Sequence, residues 1–173
     1  TSDDSDVKSE VLITLNKLGY DDIESLIQKG MNDERGKVRT TALGLLENID
    51  ISKENVPGIV RPIFKNGSTR EQQKLLSVLG KMPIENSLEM FKELLQKHIA
   101  GTLPEAITLD LKEAITASKS KELIDDMASL DTGKSVLETY KDALYGGNGR
   151  SGYNYFMENS TGQCVRCHSI RGQ

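Results

Sequence analysis

Residues 32–49 read "NDERGKVRTTALGLLENI", and this stretch decides what kind of fold the chain adopts. Val38, Ala42, Leu45 and Leu46 fall at i, i+4, i+7 and i+8, which puts their side chains on one face of an α-helix and leaves Lys37, Arg39, Thr40 and Thr41 around it. The same rule extends outward in both directions. Val7, Val11, Leu15 and Leu18 form an N-terminal stripe, Ile84, Leu88, Phe91 and Leu95 another, and Ile107, Leu111 and Ile115 a further one. No segment alternates apolar and polar residues strictly enough to make a half-buried strand. The pattern therefore predicts an all-α fold, helical from Val7 to Tyr145.

The breaks between stripes carry helix-start chemistry. Ser68-Thr69-Arg70-Glu71 and Thr102-Leu103-Pro104-Glu105 both place a Glu three residues after a hydroxyl residue, the spacing of a capping box. Pro104 fits the first helical position, where its missing N–H costs little. Pro62 lies inside the apolar run Ile59-Val60…Ile63, so that helix is expected to be short or kinked.

From Ser68 of one box to Thr102 of the other is a step of 34, and apolar positions recur at a similar interval. Leu43, Leu76 and Leu109 repeat at a step of 33, as do Leu45, Val78 and Leu111; Met90 pairs with Leu123, and Leu94 with Met127. A helix pair repeated at this interval cannot bury its apolar face alone, so successive pairs must stack. The quoted stretch resembles the first helix of a HEAT repeat, through Val38-Arg39 followed by Ala42-Leu43 and Leu46. The resemblance covers roughly residues 20–130 and implies a HEAT-like helical repeat solenoid over 1–145, with a curved surface for holding a partner. An irregular helical bundle is the other architecture open to this pattern. His98, in "LLQKHIAG", is expected at the surface near a helix C-terminus, with no metal or catalytic role.

Composition narrows the function classes. Charged residues make up 28% and the net charge is −4, which lacks the basic excess of a nucleic-acid binder; aromatics are 5% with no Trp, too few for a base-stacking surface. No apolar run reaches the roughly 20 residues that span a bilayer, so no transmembrane segment is expected. The opening Thr-Ser-Asp-Asp, without Met, is expected of a fragment or processed chain, which makes the lack of a signal segment uninformative about compartment. No acid–base or nucleophile constellation is visible, so no enzymatic activity is expected of these residues themselves.

The helical pattern gives way at "LYGGNGRSG". Gly146, Gly147, Asn148 and Gly149 tolerate positive φ, and residues 146–150 read as a linker. Residues 151–159 are expected to form one helix, and then comes "GQCVRCHSIRGQ", residues 162–173. The two cysteines of the chain, Cys164 and Cys167, stand close together with His168 immediately after. They are too near each other to staple a distant loop. Four readings of the trio are open. Covalent haem attachment lets each thiol add to one porphyrin vinyl group while His168 ligates the iron, and it is the reading that calls for the histidine directly beside the second cysteine. Structural zinc wants four ligands, usually as two separated pairs, and only one pair is present. A thioredoxin-like dithiol expects a βαβ setting, which this helical chain lacks. Chance is the fourth, and a rare one in so cysteine-poor a chain. Haem attachment fits best, with Cys164 and Cys167 as anchors and His168 as iron ligand.

Residues 149–173, "GRSGYNYFMENSTGQCVRCHSIRGQ", resemble the opening of a class I cytochrome c, in which a glycine and an aromatic four residues later precede the haem motif. Gly152 and Phe156 occupy those places, and at i and i+4 they share one helix face. A helical-repeat domain leading through a glycine-rich joint into this start resembles the large haem-binding, membrane-associated dehydrogenases of planctomycetes, verrucomicrobia and Bacteroidetes. That resemblance implies residues 151–173 as the N-terminal fragment of a cytochrome c module carrying haem c, and its iron, for electron transfer. It implies partners too: an upstream dehydrogenase domain and a redox partner protein. Attachment of c-type haem takes place outside the cytoplasm, so a periplasmic or outer-surface location is implied.

A class I cytochrome c also needs a sixth iron ligand, usually a Met well downstream. Met31, Met82, Met90, Met127 and Met157 all precede the motif, so the chain is expected to be cut just inside the haem module, with residues beyond about Gly149 too poor in apolar surface to make a core of their own. The other function open to the chain is a helical-repeat interaction scaffold whose Cys-x-x-Cys-His is empty or binds zinc.

Overall fold

The computed structural model describes residues 2–49 and 51–170; Thr1, Asp50 and Arg171–Gln173, which fall within the sequence-defined segments, lie outside the described residues. The described chain is all-helical, with no strand. Eight helices come first: α1 Ser2–Lys17, α2 Ile23–Met31, α3 Gly36–Leu45, α4 Val56–Asn66, α5 Thr69–Leu79, α6 Ile84–Ile99, α7 Thr108–Ser118 and α8 Lys121–Leu130. A four-residue helix, α9 (Val136–Thr139), and a 3₁₀ turn (Lys141–Leu144) follow. Then come α10 (Gly149–Glu158) and a further 3₁₀ turn over Cys164–Arg166. Among the described residues no helix is long and apolar enough to cross a membrane.

The first eight helices form two rows. Odd-numbered helices touch along one row (α1 with α3, α3 with α5, α5 with α7) and even-numbered ones along the other (α2 with α4, α4 with α6, α6 with α8), while each helix also meets a chain neighbour across α1–α2, α2–α3, α4–α5, α6–α7 or α7–α8. The core runs between the rows. Ile27, Ala42, Ile63, Leu75, Leu76, Leu79, Phe91, Ile107, Leu111 and Leu123 are fully buried there. Where α2 crosses α3 the backbones approach so closely that a Cβ on Gly30 would stand 2.9 Å from the Ala42 Cβ, which is why a residue without a side chain sits at that crossing.

Burial shows where the sequence periodicity holds and where it slips. Between α3 and α5 the buried positions Val38, Ala42, Leu43 and Leu46 match Glu71, Leu75, Leu76 and Leu79, each at a step of 33. Between α5 and α7 the buried set Gln72, Leu75, Val78 and Leu79 matches Thr108, Leu111, Ala114 and Ile115, a step of 36. Leu109, expected beside Leu43 and Leu76, therefore points outward. The cause is local. Pro104 is extended (ψ 131°) and a 3₁₀ turn over Glu105–Ile107 precedes α7, so the Thr102 capping box does not form and the Thr102 hydroxyl donates instead to the Lys97 carbonyl. In the other row Met90 and Leu123, and Leu94 and Met127, are buried at the expected step of 33.

Other expectations met similar local physics. Pro57 takes a place in the first turn of α4, and the helix runs for 11 residues with Pro62 inside it, continuing past the proline to Asn66 rather than stopping short. On α1 the stripe Val7, Val11 and Leu18 is exposed, and the helix docks through Leu12 and Ser9, off that stripe.

The Ser68 box forms as the sequence predicts. Glu71 N–H donates to Ser68 Oγ at 3.4 Å, and Ser68 N–H donates to Glu71 Oε2 at 2.6 Å. Glu71 does a second job. Its carboxylate accepts from Arg39 Nε at 2.9 Å and Nη2 at 3.2 Å, while Arg39 Nη1 reaches the carbonyls of Asp33 and Glu34, so one guanidinium ties α3 and the preceding loop to the start of α5. Burial alone would raise the Glu71 pKa, but the bonds from Arg39 and Ser68 outweigh it and hold the carboxyl below the ordinary range. Glu71→Ala removes the side-chain half of the capping box and the partner of a mostly buried arginine, and is expected to cost about 3 kcal/mol in urea unfolding. Glu71→Gln keeps a capping side chain and should recover about 1 kcal/mol of that. A carboxyl whose folded pKa is depressed contributes stability above its unfolded pKa of about 4.3, lost as pH falls through the folded value. The fall in stability below about pH 5 is therefore expected to be shallower in Glu71→Gln than in the natural protein.

Candidate functional site

The terminal segment is built from short-range hydrogen bonds rather than apolar burial. Asn148 caps α10, its side-chain oxygen accepting from the backbone N–H groups of Arg150 and Ser151 at 3.1 Å. At the other end Asn159 N–H donates to the Tyr155 carbonyl at 3.0 Å, while the Asn159 side-chain oxygen accepts from Gly162 N–H and its carbonyl from Gln163 N–H. Gln163 is left-handed (φ 43°), which reverses the chain and starts the 3₁₀ turn. Within that turn Cys167 N–H and His168 N–H both donate to the Cys164 carbonyl, at 3.3 and 3.0 Å. The first thiol residue and the imidazole residue are thus locked to one another through the backbone.

Cys164 excepted, the side chains of this turn are exposed. Cys164 is partly buried, its Sγ lying 3.4 Å from where a Cβ on Gly162 would stand, whereas Cys167 and His168 are exposed. Both cysteines are free thiols. α10 contacts the turn and brings apolar surface beside it: Phe156 is partly buried, and Tyr153, Tyr155 and Met157, with Val165 of the turn, are exposed. Gly152 and Phe156 lie in the same helix, one turn apart, as the sequence predicts.

This donor set suits a porphyrin in kind. Two reduced thiols on one turn are what thioether formation consumes, one free imidazole is what a haem iron binds, and a largely apolar macrocycle would cover the exposed aromatic and aliphatic side chains. Among the described residues no three His, Cys, Asp or Glu side chains gather as an ion-binding set.

A second cluster lies where α6 and α7 meet the segment after α8. Lys112 Nζ is 3.0 Å from Asp131 Oδ2 and 2.9 Å from Asp142 Oδ2, and Lys134 also pairs with Asp131 at 2.8 Å. His98, expected at the surface, is half-buried beside this cluster, next to the last residue of α6. Burial pushes its imidazole below the usual value, and Lys112 and Lys134 add to that against the pull of Asp142 and Asp131. Nearby, Gln73 Nε2 donates to the Gly146 carbonyl at 2.9 Å and lies 3.0 Å from Asp110 Oδ2. No motif marks Lys112 or Gln73, because their partners come from distant parts of the chain; Gly146 takes the positive φ (73°) that its glycine-rich stretch allows. One local signal does exist in this region: Ser135-Val136-Leu137-Glu138 forms a capping box at the start of α9.

No family model, no curated protein and no solved structure matches the chain.

Proposed function

We propose that the chain is a c-type haem-binding electron-transfer segment carried on a HEAT-like repeat spacer. Cys164 and Cys167 are its thioether anchors and His168 its iron ligand. The observation that carries this reading is the Cys-x-x-Cys-His trio, folded into one turn with both thiols free and the backbone N–H of His168 held by the Cys164 carbonyl. In thioether formation each Sγ–H adds across a vinyl double bond, sulfur going to one carbon and the proton to the other, so the site consumes no oxidant. Bound haem supplies a one-electron iron couple, its potential set by axial ligation and burial. The chain's residues do the rest. Cys164 and Cys167 would anchor the group, the turn would present His168 to it, and the exposed apolar side chains of α10 and Val165 would exclude water beside it.

The wider reading rests on the resemblance to haem-binding dehydrogenases. The segment is the start of a cytochrome c module, and its electrons come from a dehydrogenase domain of the same polypeptide and pass to a redox partner protein. Residues 1–145 act as a spacer and carry no chemical step. The setting is periplasmic or at the outer surface, where c-type haem is attached.

Production of the chain in a host with active c-type haem maturation tests the core of this. The expected result is an intact mass increased by one haem that survives denaturation, with a c-type pyridine haemochrome spectrum, which replaces native axial ligands and so needs no sixth ligand from the protein. An unmodified mass overturns the proposal, and stoichiometric zinc in that sample would assign the trio to a metal-bearing scaffold instead.

A further inference from the structure

Between α8 and α10 the chain crosses residues 131–146 with no buried apolar residue of its own. Val136, Leu137 and Leu144 are 74%, 86% and 78% exposed, so hydrophobic burial does not hold this stretch in place. Two polar fixings do. Lys112 of α7, with only 18% of its side chain exposed, spans Asp131 at one end of the stretch and Asp142 near the other. Gln73 of α5 then grips the Gly146 carbonyl. Gly146 is at φ 73°, and a Cβ there would stand 1.9 Å from the Ala106 carbonyl oxygen, so the backbone fits into this notch only as glycine.

We propose that residues 131–146 are a latched strap, in which Lys112 bridging Asp131 and Asp142, and Gln73 holding Gly146, set how far α10 and the thiol turn can travel. With the latch closed, the free joint before α10 is Gly147 and Asn148, a reach of about 7 Å. With it open, the joint is the chain from Asp131 to Asn148, and its extended reach rises to about 60 Å. The same terminal segment thus switches between a held position and a long tether.

The electrostatics agree with a closed latch in the folded protein. Burial lowers the Lys112 pKa, but Asp142 and Asp131 overcome it and raise the ammonium above its usual value; burial raises the Asp131 pKa, but Lys134 and Lys112 overcome it and lower it. Each acid at the cluster has a cation and Lys112 has two acids, so removing that one side chain leaves Asp131 and Asp142 partly buried without it, Asp131 keeping only its bond to Lys134. The latch does not depend on what the turn carries, so it stands or falls apart from haem attachment.

Hydrogen exchange on the full chain, read peptide by peptide, tests it. The amides of Thr139, Tyr140, Ala143 and Tyr145, all hydrogen-bonded within the strap, report its state. Lys112→Met is expected to speed their exchange at least tenfold. Gly146→Ala, which leaves Lys112 intact and acts through the notch, is expected to speed exchange at Ala143 and Tyr145 by a similar factor. Lys121→Met, which breaks an exposed pair with Asp125, should change neither. In both strap variants exchange of α3 and α4 stays as in the natural protein, and the largest dimension seen by solution X-ray scattering increases. Strap amides that exchange in the natural protein at unprotected rates, or that are unmoved by both Lys112→Met and Gly146→Ala, overturn the proposal.

Discussion

Cys164→Ser with Cys167→Ser is expected to abolish covalent haem attachment while leaving the helical stack untouched. Each serine hydroxyl is nearly isosteric with the thiol but does not add to a vinyl group, so no bond to the macrocycle can form. The single variants separate the anchors: each should keep one thioether and a denaturation-resistant mass increase, at reduced yield, with the haemochrome band displaced by the vinyl group left unreacted. His168→Ala keeps both thiols and removes only the proposed iron ligand, so any haem it acquires would lack the His168 nitrogen. None of residues 149–170 is buried, so these changes sit outside the core and should shift thermal unfolding of the stack by no more than about 2 °C. Haem that stays covalently bound in the double variant would show that some other group anchors it and would end the assignment of these thiols.

The turn and the stack were legible to different degrees, for different reasons. The trio lies within five residues, so it is visible as a local pattern, and the turn is closed by bonds between near neighbours in the chain. Helix existence was nearly as plain, since an apolar stripe at helical period is a local signal. Register was not. Leu109 and Leu111 both fit a step of 33, and only the extended Pro104 and the 3₁₀ turn after it decide that Leu111 is buried while Leu109 faces out. On α1, Val7 and Val11 carry the stronger apolar pattern, yet Leu12 makes the docking face; burial depends on which neighbours reach the helix, and a stripe cannot encode that. Least legible was the latch. Lys112 looks like any helix-surface lysine until the chain passes through α8 and returns with Asp131 and then Asp142, and nothing in local spacing marks that return. The one local hint there, Ser135 with Glu138, announces a short helix and says nothing of what it rests on.

Phe91→Ala carries the largest expected change in stability, about 4 kcal/mol by urea unfolding at neutral pH. Phe91 is fully buried on α6, the helix that touches α4 on one side and α8 on the other while meeting α7 across the rows. Truncation removes a whole ring and leaves a cavity that three neighbours would have to collapse to fill, and close-packed helices relax only partly. Phe156→Ala deletes the same ring from α10, where it is only partly buried, and should cost about 0.5 kcal/mol or less. The pair is a comparison of position at constant chemistry. It also bears on the repeat reading. In a stack of nearest-neighbour units, weakening α6 lowers the interfaces on both its sides, so protection of α4, α5, α7 and α8 from hydrogen exchange should fall with that of α6, while α1 and α2 at the far end fall less. Equal loss from α1 to α8 would point to a single cooperative bundle, and a stability change under about 1 kcal/mol would mean that α6 does not occupy the middle of the core at all.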